Sequence, residues 1–499
     1  MLTVLFKLSR SLHKYSGLIF FVYFLLMAIS GVLLNHPKLI RKVSVPLQIT
    51  PASHTLSNGN RMAIRESIVD GDSIYLAGRG GVWQSNDNGL NFVKIDTGFP
   101  SASYVQDTFC LSLDKKYNRL FAGTRNGLYV YNFTTEKWVN IPFGATDNEP
   151  IMDLLQINNR LLLFTQQHCY SAALETQDPR FSIEPLRFDA QSRPQSARIT
   201  HFFLKVHDGS ILGIAGRLFV DTTGLVLAFL CVTGLTVWWL PRYAKNSIRH
   251  GNRRFNLKWC YRNHLHVGAY AFAFISIIAL SGVLIRPPFV KPLAIFQVPL
   301  WTLPLESRGA WQPRIDKALF EPESETLWVA TRHGFFSGQA DFSQPLQKQI
   351  INVPHSGMGT NVFEALPKQQ LLIGSFSGLY IWDLPDHQIL PLPQHKKDAQ
   401  LAKNNYRATG IIIKDDSPQY VADYRRGVVP LTATHPLQLP PQMAMTSMSL
   451  WHFLFELHNG RIFRQWLGPA TWLLIPLGGF LMLSNLITGF YDWLWRSRK

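Results

Sequence analysis

Four apolar runs break the chain: Tyr15–Leu34, Thr222–Leu240, Leu265–Ile285 and Gln465–Tyr491. Each has about the 20 residues needed to cross a bilayer as a helix. The first two carry no Lys or Arg, and in the third His266 is the titratable group. The two long stretches between these runs follow a different rhythm. "YLAGRGGVW" from Tyr75, "LFAGTRNGLYVYN" from Leu120, "LWVATRHGFFSG" from Leu327 and "LLIGSFSGLYIWD" from Leu371 each read as strand, tight turn and aromatic strand. Gly81 and Gly127 lie 46 residues apart, and Gly334 and Gly378 lie 44 apart. Weaker copies begin at Arg160 and Tyr420. A period near 45 with paired strands suggests propeller blades. The turn glycines are expected to supply positive φ.

A larger duplication contains this smaller one. Shifted by 251 residues, "HKYSG" from His13 falls on "HLHVG" from His264, and "SGVLL" from Ser30 on "SGVLI" from Ser281. "HFFLKVHDG" from His201 falls on "HFLFELHNG" from His452. After a slip of four, "TGLTVWW" aligns with "TGFYDWLW". The chain is thus span, outside segment, span, written twice. Parallel repeats of this kind commonly pack about a pseudo-twofold axis along the membrane normal.

The expected fold class is a membrane α-helical four-span bundle of two parallel repeats plus an all-β outer domain, a six-bladed β-propeller made from both halves. Two separate sandwiches are the alternative. The expected segments are 1–36 for the N-terminus and first span, 37–199 for three blades, and 200–241 for the second span with its outer extension. They continue with 242–263 for a basic loop, 264–286 for the third span, 287–450 for three more blades, and 451–499 for the last span and tail.

The formal net charge of +17 could suggest nucleic acid, but its placement argues otherwise. Lys7, Arg10 and Lys14, seven Lys or Arg in 241–263, and Arg496, Arg498 and Lys499 together with Asp492 account for +12 of it. All flank the same ends of the spans, as the positive-inside rule requires. Both termini and the middle loop are therefore expected in the cytoplasm of a bacterium, the spans in its inner membrane and the β domain in the periplasm, with no nucleic-acid partner. Trp238, Trp239, Trp493 and Trp495 mark that cytoplasmic edge. The first run is read as a retained anchor, because no small-x-small cleavage site follows it.

Three histidine pairs obey the duplication: His13/His264, His201/His452 and His207/His458. A pseudo-twofold sets equivalent residues opposite one another at equal depth, which is what two axial imidazoles of a haem need. His13 and His264 would serve an inner site, and His207 and His458 an outer one. His201 lies six residues from His207, about 120° around a helix, so His201 and His452 are expected beside the outer site or lining a substrate site. His36 maps onto Pro287 and His266 onto Tyr15, so neither forms a symmetric pair. Arg217 and Asp221 are spaced to pair with each other, and Arg217 is alternatively placed for a haem propionate. His333, His355, His387 and His395 read as surface residues. No C-x-x-C-H is present, so a c-type attachment is not expected. Cys110 and Cys169 are available for a disulfide, with Cys231 in a span and Cys260 in the basic loop. No nicotinamide or flavin site is seen. Electrons would come from a membrane quinol or a separate donor protein.

The segments "LHKYSGLIFFVYFLLMAISGVLLNH" and "HDGSILGIAGRLFVDTTGLVLAFLCVTGLTVWWLPR" resemble PepSY-associated transmembrane proteins, which include siderophore reductases and iron-uptake-associated proteins of bacterial inner membranes. The resemblance covers the spans and their flanks, about a third of the chain. It implies b-type haems held by histidine, here His13, His207, His264 and His458. It also implies reduction of a ferric chelate, so that the weaker-held ferrous ion leaves. No PepSY domain is evident, since blade motifs fill both outer segments. The two function classes are then a haem b electron-transfer protein, two bis-His haems serving a ferric chelate or other metal, and a non-enzymatic anchored propeller that binds a periplasmic protein or senses a ligand. A permease fits poorly, since the spans offer no buried acid pair.

Overall fold

The structure, a computed structural model, describes residues 2–144, 149–175, 179–243, 251–305, 311–354, 356–392 and 406–497. His355, His395 and the middle of the basic loop lie outside the described residues. The chain divides into a helical unit, from 1–40, 194–309 and 450–499, and a β unit, from 41–193 and 310–449.

The helical unit is built on α1 (Leu2–Asn35), α2 (Ile199–His207), α3 (Gly213–Tyr243), α4 (Gly251–Leu284), α5 (Leu450–His458) and α6 (Leu474–Ser497). The long helices α1, α3, α4 and α6 pack in a ring, each beside two others, while short α2 lies on α4 and short α5 on α1. Phe24, Leu230, Ile275 and Met482, one from each long helix, meet at the centre. Ile19, Leu225, Ile277 and Ile487 point outward and are exposed. Among the described residues, four segments are long and apolar enough to cross a membrane: Val4–Asn35, Ser210–Arg242, Leu257–Leu284 and Arg461–Ser497. In lipid, close packing replaces the hydrophobic effect as the force between helices, so small residues sit at contacts. A Cβ on Gly478 would come within 2.2 Å of the Tyr23 hydroxyl, and one on Gly479 within 2.2 Å of Val283 Cγ2.

The helices outrun the apolar runs that announce them. α3 begins at Gly213 and α4 at Gly251, both earlier than their apolar windows. The fourth run differs the other way: Gly468, at φ +52°, and Pro469 break it, a 3-10 stretch covers Gly468–Leu473, and α6 starts at Leu474. That detour absorbs the four-residue slip between the repeats.

Among its described residues the β unit holds six larger antiparallel sheets in chain order, five of four strands and a sixth of three, besides the two-stranded pair of Ser44–Val45 with Met448–Ser449. Three come from each half, as the turn period predicts. Their first strands are Glu66–Asp70, Thr108–Asp114, Ile151–Ile157, Ile315–Glu321, Thr360–Leu366 and Ala408–Lys414. Each first strand packs beside the next, and the sixth beside the first. Ser67 Oγ donates to Ile411 O at 2.7 Å and Thr409 Oγ1 to Ile64 O at 3.1 Å, tying the last sheet to the first. Residues from before the first sheet support the short sixth one: Arg61 N–H donates to Tyr424 O at 2.9 Å, and Asn58 Nδ2 to Arg426 O at 3.0 Å. Gly127 and Gly334, at φ +118° and +115°, close hairpins that a side chain would strain. Cys110 and Cys169 do not form a disulfide; both are free and buried, Cys110 beside Phe121 and Cys169 beside Phe164.

Lys317, on the first strand of the fourth sheet, is buried. Its Nζ lies 2.6 Å from Glu66 and 3.5 Å from Asp153, on the first strands of the first and third sheets. Asp153 also accepts the N–H groups of Leu154 and Ala318. Burial pushes the Asp153 carboxyl up to about 6 and the Glu364 carboxyl well above its ordinary value, the Glu66 charge adding to both. A carboxyl raised above its unfolded value stabilises the fold fully below that unfolded value, and the contribution is lost as pH rises through the folded one. The melting temperature of the β unit should therefore fall between about pH 4 and pH 7, followed by intrinsic fluorescence, and Glu364→Gln should flatten the fall. Lys317→Met should cost about 3–5 kcal/mol, since it strands the buried Asp153 and the largely covered Glu66.

Candidate functional site

Two pairs of histidines face one another in the helical unit. His13 on α1 and His264 on α4 stand with ring centroids 6.1 Å apart. His207 and His458, closing the short helices α2 and α5, stand 6.0 Å apart. Ser30, which contacts His458, is 17 residues along α1 from His13, about 25 Å at 1.5 Å per residue. That approaches the thickness of a bilayer's hydrocarbon core, about 30 Å.

Hydrogen bonding fixes the protons. His13 Nδ1 lies 2.9 Å from Asn485 O, and His207 Nδ1 lies 2.9 Å from Ile278 O. A carbonyl only accepts, so both Nδ1 atoms carry hydrogen. His264 Nδ1 lies 3.0 Å from Thr233 Oγ1, and His458 Nδ1 lies 2.8 Å from Ser30 Oγ. Thr233 already donates to Phe229 O at 2.8 Å, and Ser30 to Leu26 O at 2.6 Å. A hydroxyl has one proton, so each accepts from its histidine. In the neutral form all four rings are therefore Nδ1–H tautomers with a lone pair on Nε2, and no hydrogen bond from a described residue reaches that Nε2. This is how metal-ligating imidazoles are commonly held, the second nitrogen fixing ring and tautomer.

Glycine seats each ring. A Cβ at Gly489 would lie 2.8 Å from His13 Cε1, at Gly234 3.0 Å from His264, at Gly282 2.7 Å from His207 and at Gly31 3.5 Å from His458. These glycines follow Thr488, Thr233, Ser281 and Ser30. One Ser-Gly or Thr-Gly dipeptide thus faces each histidine, its glycine a flat seat and its hydroxyl beside Nδ1. The longer contacts are Thr488 to His13 at 3.4 Å and Ser281 to His207 at 3.5 Å.

The His207–His458 pair opens on a cavity of about 330 Å³ whose lining includes Gly31, Gly224, Gly282 and Gly479. Arg286 and Asn35 share that lining at positions 251 apart. The Arg286 guanidinium is half-buried, with the Arg461 cation nearby. The acid that acts on it, Glu456, is already held by Arg461 at 2.6 Å. The cavity thus combines two neutral imidazoles, apolar walls and a cation whose acid neighbour is engaged elsewhere.

Other expected residues fall outside this arrangement. His201 and His452 sit on the first turns of α2 and α5 and do not line the cavity. Arg217 is exposed and does not pair with Asp221 as its spacing suggests. Asp221 is engaged by His36 Nε2 at 2.7 Å and Asn35 Nδ2 at 2.8 Å, because the end of α1 reaches it first. His36 is thereby committed to a carboxylate. His266 stacks on Tyr270, and His333 and His387 are exposed as expected. Arg286 and the Ser-Gly and Thr-Gly partners escaped the sequence reading. The dipeptides were visible inside the repeated phrases, and Arg286 directly follows one of them. Among the described residues no cluster of three His, Cys, Asp or Glu could hold a bare metal ion, so the ligand sets on offer are pairs.

The sequence profile described as the PepSY-associated TM region matches residues 10–496. No curated protein matches the chain. Among solved structures, the extracellular domain of the hybrid two-component system BT4673 from B. thetaiotaomicron aligns at 12% identity and TM-score 0.39, over 73% of this chain and 32% of that one. The Cps50 (Swd1) β-propeller domain of Myceliophteria thermophila aligns at 9% and 0.31, over 63% and 67%. The dihydro-heme d1 dehydrogenase NirN in complex with DHE aligns at 9% and 0.32, over 74% and 55%. The chain spans about a third of the length of the first of these, and likeness at this level carries no functional weight.

In metal-free protein labelled at histidine, two-bond nitrogen–proton correlations should find all four rings in the Nδ1–H form at neutral pH. Thr233→Val should release the His264 tautomer alone, at a cost of about 0.5–1.5 kcal/mol. A dominant Nε2–H form at any of the four would contradict the assignment.

Proposed function

Because the chain belongs to the PepSY-associated TM family, we propose that it is a haem b protein of a bacterial inner membrane that carries electrons across the bilayer to a ferric chelate or other metal outside. The observation that carries this reading is the tautomer: four symmetric imidazoles each held at Nδ1, each with Nε2 free, in two facing pairs. The spacing fits the group. Metal–imidazole bonds run to roughly 2 Å, and two of them with half a ring at each end fill the 6.1 Å and 6.0 Å between centroids. Haem would supply one-electron redox chemistry at each pair.

The protein's own residues supply the rest. His13 with His264, and His207 with His458, would hold the two haems. Ser30, Thr233 and the carbonyls of Asn485 and Ile278 hold the rings in place. The glycines leave room where a side chain would push an imidazole aside. Arg286 would supply a positive charge for the acidic edge of a haem at the His207–His458 pair, the role the sequence suggests for Arg217. The basic flanks support cytoplasmic termini and a periplasmic β unit. The six sheets, with first strands adjacent in a cycle, are the blades of one propeller, which would bind the chelate or a partner protein. The donor is a membrane quinol or a separate protein.

Detergent-purified protein should show a sharp reduced α-band after dithionite and about two haems per chain by pyridine haemochrome. His13→Ala or His264→Ala should remove about half of the haem, and His207→Ala or His458→Ala the other half. Arg286→Gln should weaken retention of the outer haem about tenfold or more, as loss of an outer-shell partner does. Protein made with ample haem that still lacks a Soret band would sink the reading and leave an anchored propeller as the functional part.

A further inference from the structure

The blade motifs carry arginine where they turn. In the first, second and fourth sheets, the residue directly after the second strand is Arg79, Arg125 or Arg332. Arg65 and Arg314 directly precede the first strands of the first and fourth sheets. The strands are antiparallel, so the end of a second strand lies beside the start of a first. Arg125 N–H donates to Asp107 O, and Arg332 N–H to Arg314 O. All five therefore stand at one end of the sheets.

They also converge. Asp107 takes Arg65 at 3.2 Å and Arg125 at 2.5 Å. The Phe109 ring lies against both guanidinium groups, at 4.5 and 5.1 Å. Arg332 takes Asp316 at 2.8 Å. Burial first, then one another's charge, hold three of the five below the ordinary arginine range: Arg125 and Arg79 act on Arg65, Arg125 on Arg79, and Arg332 and Arg125 on Arg314. Arginines from three sheets thus lie within electrostatic reach of each other, with two aspartates among them. Arg79 and Arg314 are the surplus. Arg79 donates to a carbonyl, Arg61 O at 3.4 Å, and Arg314 is the most open of the five.

Guanidinium groups are planar forks that match carboxylates two bonds at a time. Like charges held together in a half-buried site repel until an anion joins them. We propose that this end of the β unit binds a small polycarboxylate anion, either free or as its ferric complex, with Arg79 and Arg314 as the specificity-determining contacts. The site stands whether or not the helical unit holds haem.

The test is calorimetric titration of the full-length protein in detergent with citrate and with ferric citrate at constant ionic strength. Saturable binding of either supports the site, and the tighter of the two identifies the form it takes. Arg79→Gln with Arg314→Gln should weaken binding at least tenfold, yet leave the unliganded melting temperature unchanged or raised, since repulsion is relieved. Should the double variant fail to fold, Arg314→Gln alone, at the open position, should still weaken binding. Lys137→Gln, an exposed residue of the second sheet's last strand, should leave it unchanged. A response matched by chloride at equal ionic strength, or undiminished binding by the arginine variants, would overturn the proposal.

Discussion

The helical unit depends on a hydrogen bond from an imidazole Nδ1–H to an oxygen on a neighbouring helix, made four times. Each bond decides which nitrogen is bare, how the ring is turned and which helices stand next to each other. The glycine beside each acceptor lets the ring lie flat against backbone. Because the acceptors are carbonyls or hydroxyls whose protons are already engaged, the tautomer is a consequence of the helix pairing. In a medium without water, such a bond has few competitors. The ring of four helices and the orientation of the histidines are thus one solution to one constraint.

The β unit answers a different problem. Six small sheets, each unable to bury both faces alone, place their first strands side by side, and the last returns to the first. The sixth sheet is one strand short. Residues 57–62, from before the first sheet, bond along it, so the two ends of the unit hold each other. The same first strands bring Glu66, Asp153, Lys317 and Glu364 together. That makes the middle of the unit polar where most small domains are oily.

Much of this was legible in the sequence, for identifiable reasons. The spans announce themselves by length, and the six sheets by glycine turns at a fixed period, because both are local properties. The pairing of His13 with His264 and of His207 with His458 followed from the 251-residue shift, since symmetry turns sequence distance into spatial opposition. The errors arose where a long-range contact outranked a local one. The i, i+4 spacing of Arg217 and Asp221 suggested an ion pair, but Asn35 and His36 arrive from another helix and take the carboxylate. The fourth run looked continuous by hydropathy, yet Gly468 and Pro469 break it. Arg286 was passed over because its duplicate is Asn35, so no symmetric pair drew attention to it.

Glu66 and Lys317 are 251 residues apart, so the duplication makes them the same position. One copy carries a carboxylate there and the other an ammonium, and the two meet. Two first halves would set carboxylate against carboxylate, and two second halves ammonium against ammonium. Each half therefore recognises the other and rejects its own kind. What began as a repeat has become a matched pair, and the identity of the two copies is no longer exchangeable.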